Sequence, residues 1–273
     1  MPEGPEIHLQ AHAIAKAITG KVVDVYCAHE NVTPYFDLLH QKRVDRVYAR
    51  GKAVLIQFES GYTLYAHNQL YGRWIVHHID SPPLTSRSLR VCLTHGQEQV
   101  RLYSASDVCV LVRGDEEEHP YIERLGPDAC DLSVNEGDLL ARFEEKKFAG
   151  KRLANLLLDQ AFVAGIGNYL RSEIAFVCGV RLSLKLKELS AQEKQILAWA
   201  LLELPRRSFE SKGITNEPEL YRALRATRWS RSKARHFVFA REDEACFVCG
   251  ETIERFEIAA RRAYQCHACQ RGD

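Results

Sequence analysis

The feature that most constrains the fold is a pair of Cys-x2-Cys motifs near the end of the 273-residue chain. Cys246 and Cys249 form the first pair, Cys266 and Cys269 form the second, and sixteen residues lie between the pairs. This spacing is typical of a four-thiolate zinc site with a hairpin between the two motifs. We therefore predict one structural zinc ion, because four protein ligands leave no open coordination position.

The remaining cysteines and the first residues indicate the compartment. Nine cysteines are an odd number for a disulfide framework, and residues 1–6 (MPEGPE) do not resemble a secretory signal peptide. Both observations favour a reducing cytoplasm. No apolar run approaches the roughly 18 residues of a membrane span, so we expect no membrane partner. No chemistry is assigned to the five unclustered cysteines, Cys27, Cys92, Cys109, Cys130 and Cys178.

Residues 1–125 predict one helix followed by eight short strands. Pro5 suits the first turn of a helix, and apolar residues recur on one face as far as Ile18, just before Gly20. The later apolar runs alternate in part and are separated by turn residues, which is the pattern of a β-sandwich or barrel. The predicted strands are 22–27, 44–48, 53–58, 63–67, 74–79, 89–94, 99–104 and 108–112.

Residues 125–128 (LGPD) mark a domain boundary, beyond which the apolar period becomes helical. Ser190 is a plausible N-cap for the last of these helices. From residue 206 onward the pattern predicts irregular structure. The predicted helices are 138–143, 153–161, 169–178 and 191–204.

The formal net charge of +1 hides an uneven distribution. Residues 206–241 hold ten lysines and arginines against three carboxylates, interleaved with aromatic residues, whereas residues 110–145 hold three against eleven. A basic segment with aromatic side chains can bind the phosphates and bases of nucleic acid. The alternative is a solvated linker, and we expect the acidic run 115–118 to be a solvated loop.

Three features together resemble the formamidopyrimidine-DNA glycosylase and endonuclease VIII family. They are the start MPEGPE, residues 159–161 (DQA) with 165–171 (GIGNYLR), and the four-cysteine hairpin. Residues 65–72 (YAHNQLYG) favour the endonuclease VIII branch. The resemblance implies an α+β multidomain fold. Its parts are an N-terminal helix with a β-sandwich (1–125), a helix-two-turn-helix DNA-binding domain with a linker (126–236) and a zinc-finger β-hairpin (237–271).

The resemblance also implies a base-excision-repair DNA glycosylase with β,δ-lyase activity toward oxidised pyrimidines. Removal of Met1 exposes Pro2 as a secondary amine. An α-amino group has a pKa of about 7.7–8.0 against about 10.4 for lysine, so part of it is neutral and nucleophilic near pH 7. Attack at the sugar C1′ would expel the base and leave a Schiff base.

The other catalytic residues follow from the same resemblance. Glu3 would handle proton transfer, and Lys52 would act as a proton donor or phosphate clamp. Arg261, five residues before Cys266, would bind the phosphate beside the lesion and assist the second elimination. Arg262 stands beside it, so either arginine fits that role, and the role of Glu6 stays open.

Five residues are expected to contact DNA. The resemblance implies that Gln69, Leu70 and Tyr71 fill the gap left by the flipped nucleotide, because flipping costs a few kcal/mol of stacking. Arg124 matches a DNA-contacting arginine. Asn168 is expected to be an N-cap whose helix offers free backbone N–H groups to a phosphate.

The expected partner is double-stranded DNA containing oxidised bases or abasic sites, bound by a monomer in a bacterial cytoplasm at the nucleoid. One alternative is the family's oxidised-purine glycosylase, for formamidopyrimidine and 8-oxoguanine. That relative inserts a methionine into DNA, whereas the only methionine here is Met1. The other alternative is a non-catalytic zinc-ribbon protein that binds DNA or acts as an adaptor.

Overall fold

The computed structural model of the protein describes residues 2–272, so Met1 lies outside the described residues. The chain divides into two compact units. The first contains Pro2 and Glu6–Arg124, and the second contains Glu3–Pro5 and the chain from Leu125 onward. Glu3 therefore belongs to the unit that carries the helices and the four-cysteine hairpin.

The helix α1 (Gly4–Ile18) lies in the first unit from Glu6 onward. Ile7, Ile14 and Ile18 recur at helical spacing, and all three are fully buried. Helix α1 is followed by eight strands, with α2 (Phe36–Leu39) between the first two and α3 (Pro120–Glu123) after the last. The strands are β1 (Val22–Cys27), β2 (Lys42–Arg50), β3 (Ala53–Phe58), β4 (Tyr62–His67), β5 (Arg73–His78), β6 (Leu89–His95), β7 (Glu98–Tyr103) and β8 (Asp107–Val112).

The eight strands form one antiparallel sheet in the order β5-β7-β6-β1-β2-β3-β4-β8. Strands β1 and β2 pair only through Val22 with Arg43 and Val23 with Lys42, which divides the sheet into two halves. Apolar residues from both halves, such as Ile56 on β3 and Leu93 on β6, belong to one buried cluster. The predicted β-sandwich is therefore confirmed, and so are its eight strands.

The acidic run at 115–118 is not the solvated loop that we expected. Glu116 is buried, and its Oε1 accepts hydrogen bonds from Gln57 at 2.8 Å and Thr63 at 2.6 Å. These hydrogen bonds lower the pKa of Glu116 against the opposing effect of burial, which is the largest single influence. The Glu116 carboxylate thus ties the acidic run to β3 and β4, more than fifty residues earlier in the sequence.

The second unit packs short helices around α7 and α8. Its helices are α4 (Glu136–Phe143), α5 (Lys146–Ala149), α6 (Leu153–Leu156), α7 (Asn168–Val177), α8 (Ala191–Glu210), α9 (Pro218–Ala226) and α10 (Arg231–Ala234). Ser190 caps α8 as predicted, with Glu193 completing the capping box. Leu170, Ile174 and Leu201 lie in the buried core between these helices.

Two predictions for this unit are wrong. The predicted helix 153–161 ends at Leu156, and the Asp159 side chain accepts the Ala161 amide at 3.0 Å and stabilises a turn instead. The chain from residue 206 is also less irregular than expected. Helix α8 continues through Pro205 to Glu210, and α9 and α10 follow.

The C-terminal hairpin pairs β9 (Glu254–Ile258) with β10 (Arg261–Gln265). Its turn residues Ala259 and Ala260 both have φ of 54°. The segment before the hairpin is tied to α7 by the buried Glu173, which accepts the backbone amides of residues 237–239 at 2.8–2.9 Å. Among the described residues, no helix has the length and apolar character needed to cross a bilayer.

Candidate active site

Glu3 caps the N-terminus of α7. The side chain is only 4% exposed, Oε1 accepts the Tyr169 amide at 2.7 Å, and Oε2 accepts the Leu170 amide at 3.3 Å. A carboxylate suits this position, because the unpaired amides of a helix N-terminus carry partial positive charge. The backbone next to Pro2 is thereby fixed by a helix that starts 165 residues later in the chain.

Glycines make room for this contact. Gly4 donates its amide to Gly165 at 2.7 Å, and Gly165 has φ of +92°, a conformation that favours glycine. A Cβ on Gly167 would lie 2.3 Å from Cδ of Glu3, so no other residue fits there without displacing the carboxylate. The glycines of the GIGN segment are therefore explained by the approach of the N-terminal segment.

Asn168 does not cap α7 as predicted. Gly167 holds the N-cap position, and the Asn168 side chain instead donates to the carbonyl of Arg262 at 2.8 Å. Its Oδ1 accepts from Arg171 at 2.9 Å. The predicted set of free amides is also wrong, because the Glu3 carboxylate already occupies the amides of Tyr169 and Leu170.

Arg171 lies in the GIGNYLR segment and anchors α7 to the hairpin, a role that the sequence did not predict. Its side chain is fully buried and donates to the carbonyls of Ala154 at 3.0 Å and Arg262 at 3.2 Å. Burial, followed by the positive charge of Arg261, lowers the pKa of Arg171 to about 10, while Glu3 opposes that shift. The positive charge of Arg261 therefore acts on Arg171, which lies beside Asn168 at the end of α7 that binds Glu3.

Tyr121 of the first unit contacts the backbone of Lys52 and the side chain of Arg124. The Tyr121 hydroxyl accepts the Lys52 amide at 2.8 Å, and the guanidinium of Arg124 lies over the Tyr121 ring at 5.6 Å. His67 packs edge-on against the same ring at 4.7 Å. Burial, with the charges of Lys52 and Arg124, lowers the pKa of His67 to about 4, although Asp107 opposes the shift. His67 is thus neutral beside two cations.

Residues Gln69, Leu70 and Tyr71 form the tip of the loop between β4 and β5. Leu70 is 64% exposed and Tyr71 is 70% exposed, so both apolar side chains point into solvent. The loop base is rigid: Gly72 donates to the Asn68 carbonyl at 2.7 Å, and buried Asn68 donates to Gln10 at 2.9 Å. Gln69 adopts φ of 47° and accepts from Ser106 at 2.9 Å. The structure therefore presents all three side chains on an anchored loop.

The four clustered cysteines come together as the spacing predicts. Their sulfur atoms all lie within 4.8 Å of one another, and the cysteines are not joined by disulfides. The distances are 3.9 Å between Cys246 and Cys269 and 3.4 Å between Cys249 and Cys266. Four sulfurs at the usual Zn–S distance of about 2.3 Å stand roughly 3.8 Å apart in a tetrahedron. The four residues therefore fit a zinc ion.

Comparison with known proteins identifies the class of enzyme. A model of the formamidopyrimidine-DNA glycosylase N-terminal domain matches residues 1–105. Endonuclease 8 of Salmonella paratyphi B and Endonuclease 8 of Salmonella enteritidis PT4 are each 40% identical over 272 residues, which cover 99% of this chain and 100% of the relative. The chain therefore belongs to the formamidopyrimidine-DNA glycosylase and endonuclease VIII family and is a DNA glycosylase. Its full-length similarity is to the Endonuclease 8 proteins.

Solved structures share the fold at low sequence identity. The Lactococcus lactis Fpg in complex with an abasic site containing DNA has a TM-score of 0.79 and 19% identity, over 99% of this chain and 100% of that one. MutM in complex with carbocyclic 8-oxo-G containing DNA has a TM-score of 0.80 and 17% identity, with the same coverage. At these identities the likeness establishes the fold alone.

Proposed function

We propose that this glycosylase removes oxidised pyrimidines from duplex DNA and then cleaves the strand by β,δ-elimination, with Pro2 as the covalent nucleophile. The observation that carries the proposal is the seating of Glu3 on α7, which fixes the residue bonded to Pro2. An N-terminal amine is useful as a nucleophile only if the segment that bears it is held in place. The proposal requires that Met1 be removed.

The proposed reaction begins with attack of the neutral Pro2 nitrogen on C1′ of the damaged nucleotide. The bond from C1′ to the base breaks, and the base leaves with the electron pair and takes up a proton. The Pro2 nitrogen then loses its proton, the C1′–O4′ bond breaks, O4′ takes up a proton, and an iminium forms between the nitrogen and C1′. Loss of the C2′ proton then expels the 3′ phosphate, and loss of the C4′ proton expels the 5′ phosphate. The iminium is finally hydrolysed and the amine is regenerated.

Glu3 has two roles in this scheme. Its oxygens accept amide hydrogen bonds and have further lone pairs, so the carboxylate can stabilise the positive charge that develops at C1′. It can also relay a proton during ring opening. The tight fit against Gly167 means that Glu3 performs both tasks without reorganising.

Lys52 and Arg124 would bind phosphate and assist proton transfer. The Tyr121 side chain contacts the Lys52 backbone amide and the Arg124 guanidinium, and the charges of both cations act on His67, which is itself neutral and adds no third charge. We propose that Arg124 contacts the DNA backbone, while Lys52 donates a proton or holds a phosphate during elimination.

We assign the phosphate beside the lesion to Arg261 in preference to Arg262. The support is electrostatic, since the charge of Arg261 acts on Arg171 beside Asn168. Asn168 would hold the hairpin turn through its hydrogen bond to the Arg262 carbonyl. It would also bind the phosphate. One zinc ion on the four cysteines would keep this hairpin folded.

Gln69, Leu70 and Tyr71 would enter the duplex where the damaged nucleotide leaves it. Exposed apolar side chains are costly on a free protein surface, and they are useful if they replace lost base stacking. The hydrogen bonds at the loop base hold Gln69, Leu70 and Tyr71 exposed in the protein without DNA. We propose that the protein does this as a monomer on the chromosomal DNA of a bacterial cytoplasm.

Borohydride trapping on three duplexes tests the proposal. The duplexes carry dihydrouracil, thymine glycol or 8-oxoguanine, with an undamaged duplex as the blank. We expect a covalent complex and doubly cleaved product with the two pyrimidine lesions. Preferential trapping on 8-oxoguanine would support the oxidised-purine alternative, and no trapping on any duplex would support the non-catalytic one.

A further inference from the structure

Three arginines of the basic segment have no part in the proposed reaction. Arg225 lies in the last turn of α9, Arg228 follows that helix, and Arg231 begins α10. All three side chains are exposed, and α9 contains no buried residue. We call residues 218–234, with these three arginines, the basic helical segment.

The charges of these arginines are not neutralised by the protein. Among residues 2–272, none of the three forms an ion pair with a carboxylate. Elsewhere on the surface the pattern differs: Arg113 pairs with Asp45 at 2.8 Å, and Arg43 pairs with the same carboxylate at 3.1 Å. The basic helical segment therefore presents uncompensated positive charge.

Backbone contacts hold two of these side chains in place. Arg225 donates to the carbonyl of Trp229, and Arg231 donates to the carbonyl of Lys212. A backbone carbonyl is uncharged, so it orients a guanidinium and leaves its positive charge in place. Arg225 and Arg231 can therefore still bind an anion from solution. Arg228 has φ of 67°, a left-handed conformation that costs a non-glycine residue of order 1–3 kcal/mol and occurs often at functional sites.

The segment is attached to the loop that bears the first zinc-ligand pair. Trp229 packs edge-on against Phe247 at 5.4 Å, and Lys233 pairs with Glu244 at 2.6 Å. Phe247 is also covered by the guanidinium of Arg241, 3.3 Å from the ring centroid. The basic helical segment is thus packed against the loop that carries Cys246 and Cys249. These contacts hold the two short, exposed helices in one position.

We propose that the basic helical segment is a second, sequence-independent contact to the DNA backbone, used to hold and follow undamaged duplex. Phosphates are the partner that three exposed arginines without carboxylate partners fit best, because each arginine that binds a phosphate releases condensed counterions. The inference rests on the proposed action on DNA, and it concerns binding before the lesion is found rather than the chemistry at C1′.

The test measures binding to an undamaged duplex across a salt series, with zinc-loaded full-length protein. The slope of log K against log salt is negative, and each lost phosphate contact makes it less steep by about 0.9. Loss of three contacts should therefore make it less steep by roughly 2.7. For R225Q/R228Q/R231Q, the loss of affinity between 50 and 200 mM salt should therefore be roughly 40-fold smaller than for the unaltered protein. Higher enzyme concentration should restore trapping on a lesion duplex.

Two further variants and one competitor complete the test. Lys147 pairs with Glu145 at 3.0 Å, so R43Q/R113Q/K147Q removes the same charge from ion-paired sites and should leave the slope unchanged. R225K/R228K/R231K keeps the charge of the basic helical segment and should also keep the slope. An unchanged slope in the glutamine variant, an equal loss in the paired-site control, or a loss in the lysine variant would overturn the proposal. So would displacement by polyglutamate as effective as displacement by DNA, which would point to an acidic protein partner. Absence of N-terminal trapping with the slope change intact would count against the proposed reaction alone.

Discussion

The carboxylate of Glu3 accepts a hydrogen bond from the backbone amide of Tyr169 at 2.7 Å, across 166 positions of sequence. This contact joins the residue next to Pro2 to the first turn of α7. It also explains why the chain has glycine at position 167, where a Cβ would overlap the Glu3 side chain.

Replacing that glycine should damage catalysis more than folding. In Gly167→Ala the added carbon would lie 2.3 Å from Cδ of Glu3, so the carboxylate must leave the helix end. We expect single-turnover excision to fall by about 10²-fold or more, the usual scale for a proton-transfer group. Gly150→Ala is the matched control, because a Cβ there meets nothing within 4 Å. Equal activity in both variants would remove Glu3 from the mechanism.

Only the four clustered cysteines should affect metal content. Metal analysis should find one zinc per chain, and Cys246→Ser should lose it, whereas Cys27→Ser should not. Because Cys246 and Cys266 also lie in a small buried cluster with Val238, loss of zinc should disorder the hairpin and weaken DNA binding. Unchanged zinc in Cys246→Ser would refute the assignment.

Arg261 and Leu70 should give separable defects. Arg261→Ala should flatten the salt slope of lesion binding by about 0.9 and slow the second elimination, since one phosphate contact is lost. Leu70→Ala should keep the slope and lose more activity on duplex than on single strands, because only a duplex has a gap to fill. Binding and product profiles across one salt series measure both. Identical profiles for the two variants would show that the roles are wrongly divided.

His67 should make the first unit acid-sensitive. Its pKa is lowered to about 4 in the folded protein, against about 6.5 when unfolded, so between these values the unfolded chain binds the extra proton. The stabilisation is therefore present above pH 6.5 and is lost as pH falls toward 4. It amounts to about 2 kcal/mol between pH 7 and pH 5. Denaturant melts of His67→Gln should show a correspondingly flatter pH dependence, and an unaltered dependence would contradict the burial of a neutral His67.

The local patterns of the sequence were enough for the sandwich and the metal cluster. Strand alternation and Cys-x2-Cys spacing depend on neighbours a few residues apart, so the eight strands and the four sulfurs were predicted correctly. The errors have a different origin. The Glu116 carboxylate accepts hydrogen bonds from Gln57 and Thr63, and the Glu3 carboxylate accepts the first amides of α7. Neither set of partners lies nearby in sequence.

Arg171 illustrates the same limit at the candidate site. The GIGNYLR segment drew attention to Asn168, yet it is the buried Arg171 that connects α7 to the Arg262 carbonyl of the hairpin. A charged residue on the apolar face of a helix was the available signal, since arginine is seldom fully buried without partners.

The position of the covalent bond after borohydride reduction tests the role of Pro2 most directly. The complex with a dihydrouracil duplex should be digested and the cross-linked peptide sequenced by mass spectrometry, beside a variant with Ala inserted before Pro2 as the blocked control. We expect a bond to the nitrogen of Pro2 in a chain that has lost Met1, and no trapping in the blocked variant. A bond to Lys52 or another internal lysine, or full trapping with the Pro2 nitrogen blocked, would contradict that role of Pro2.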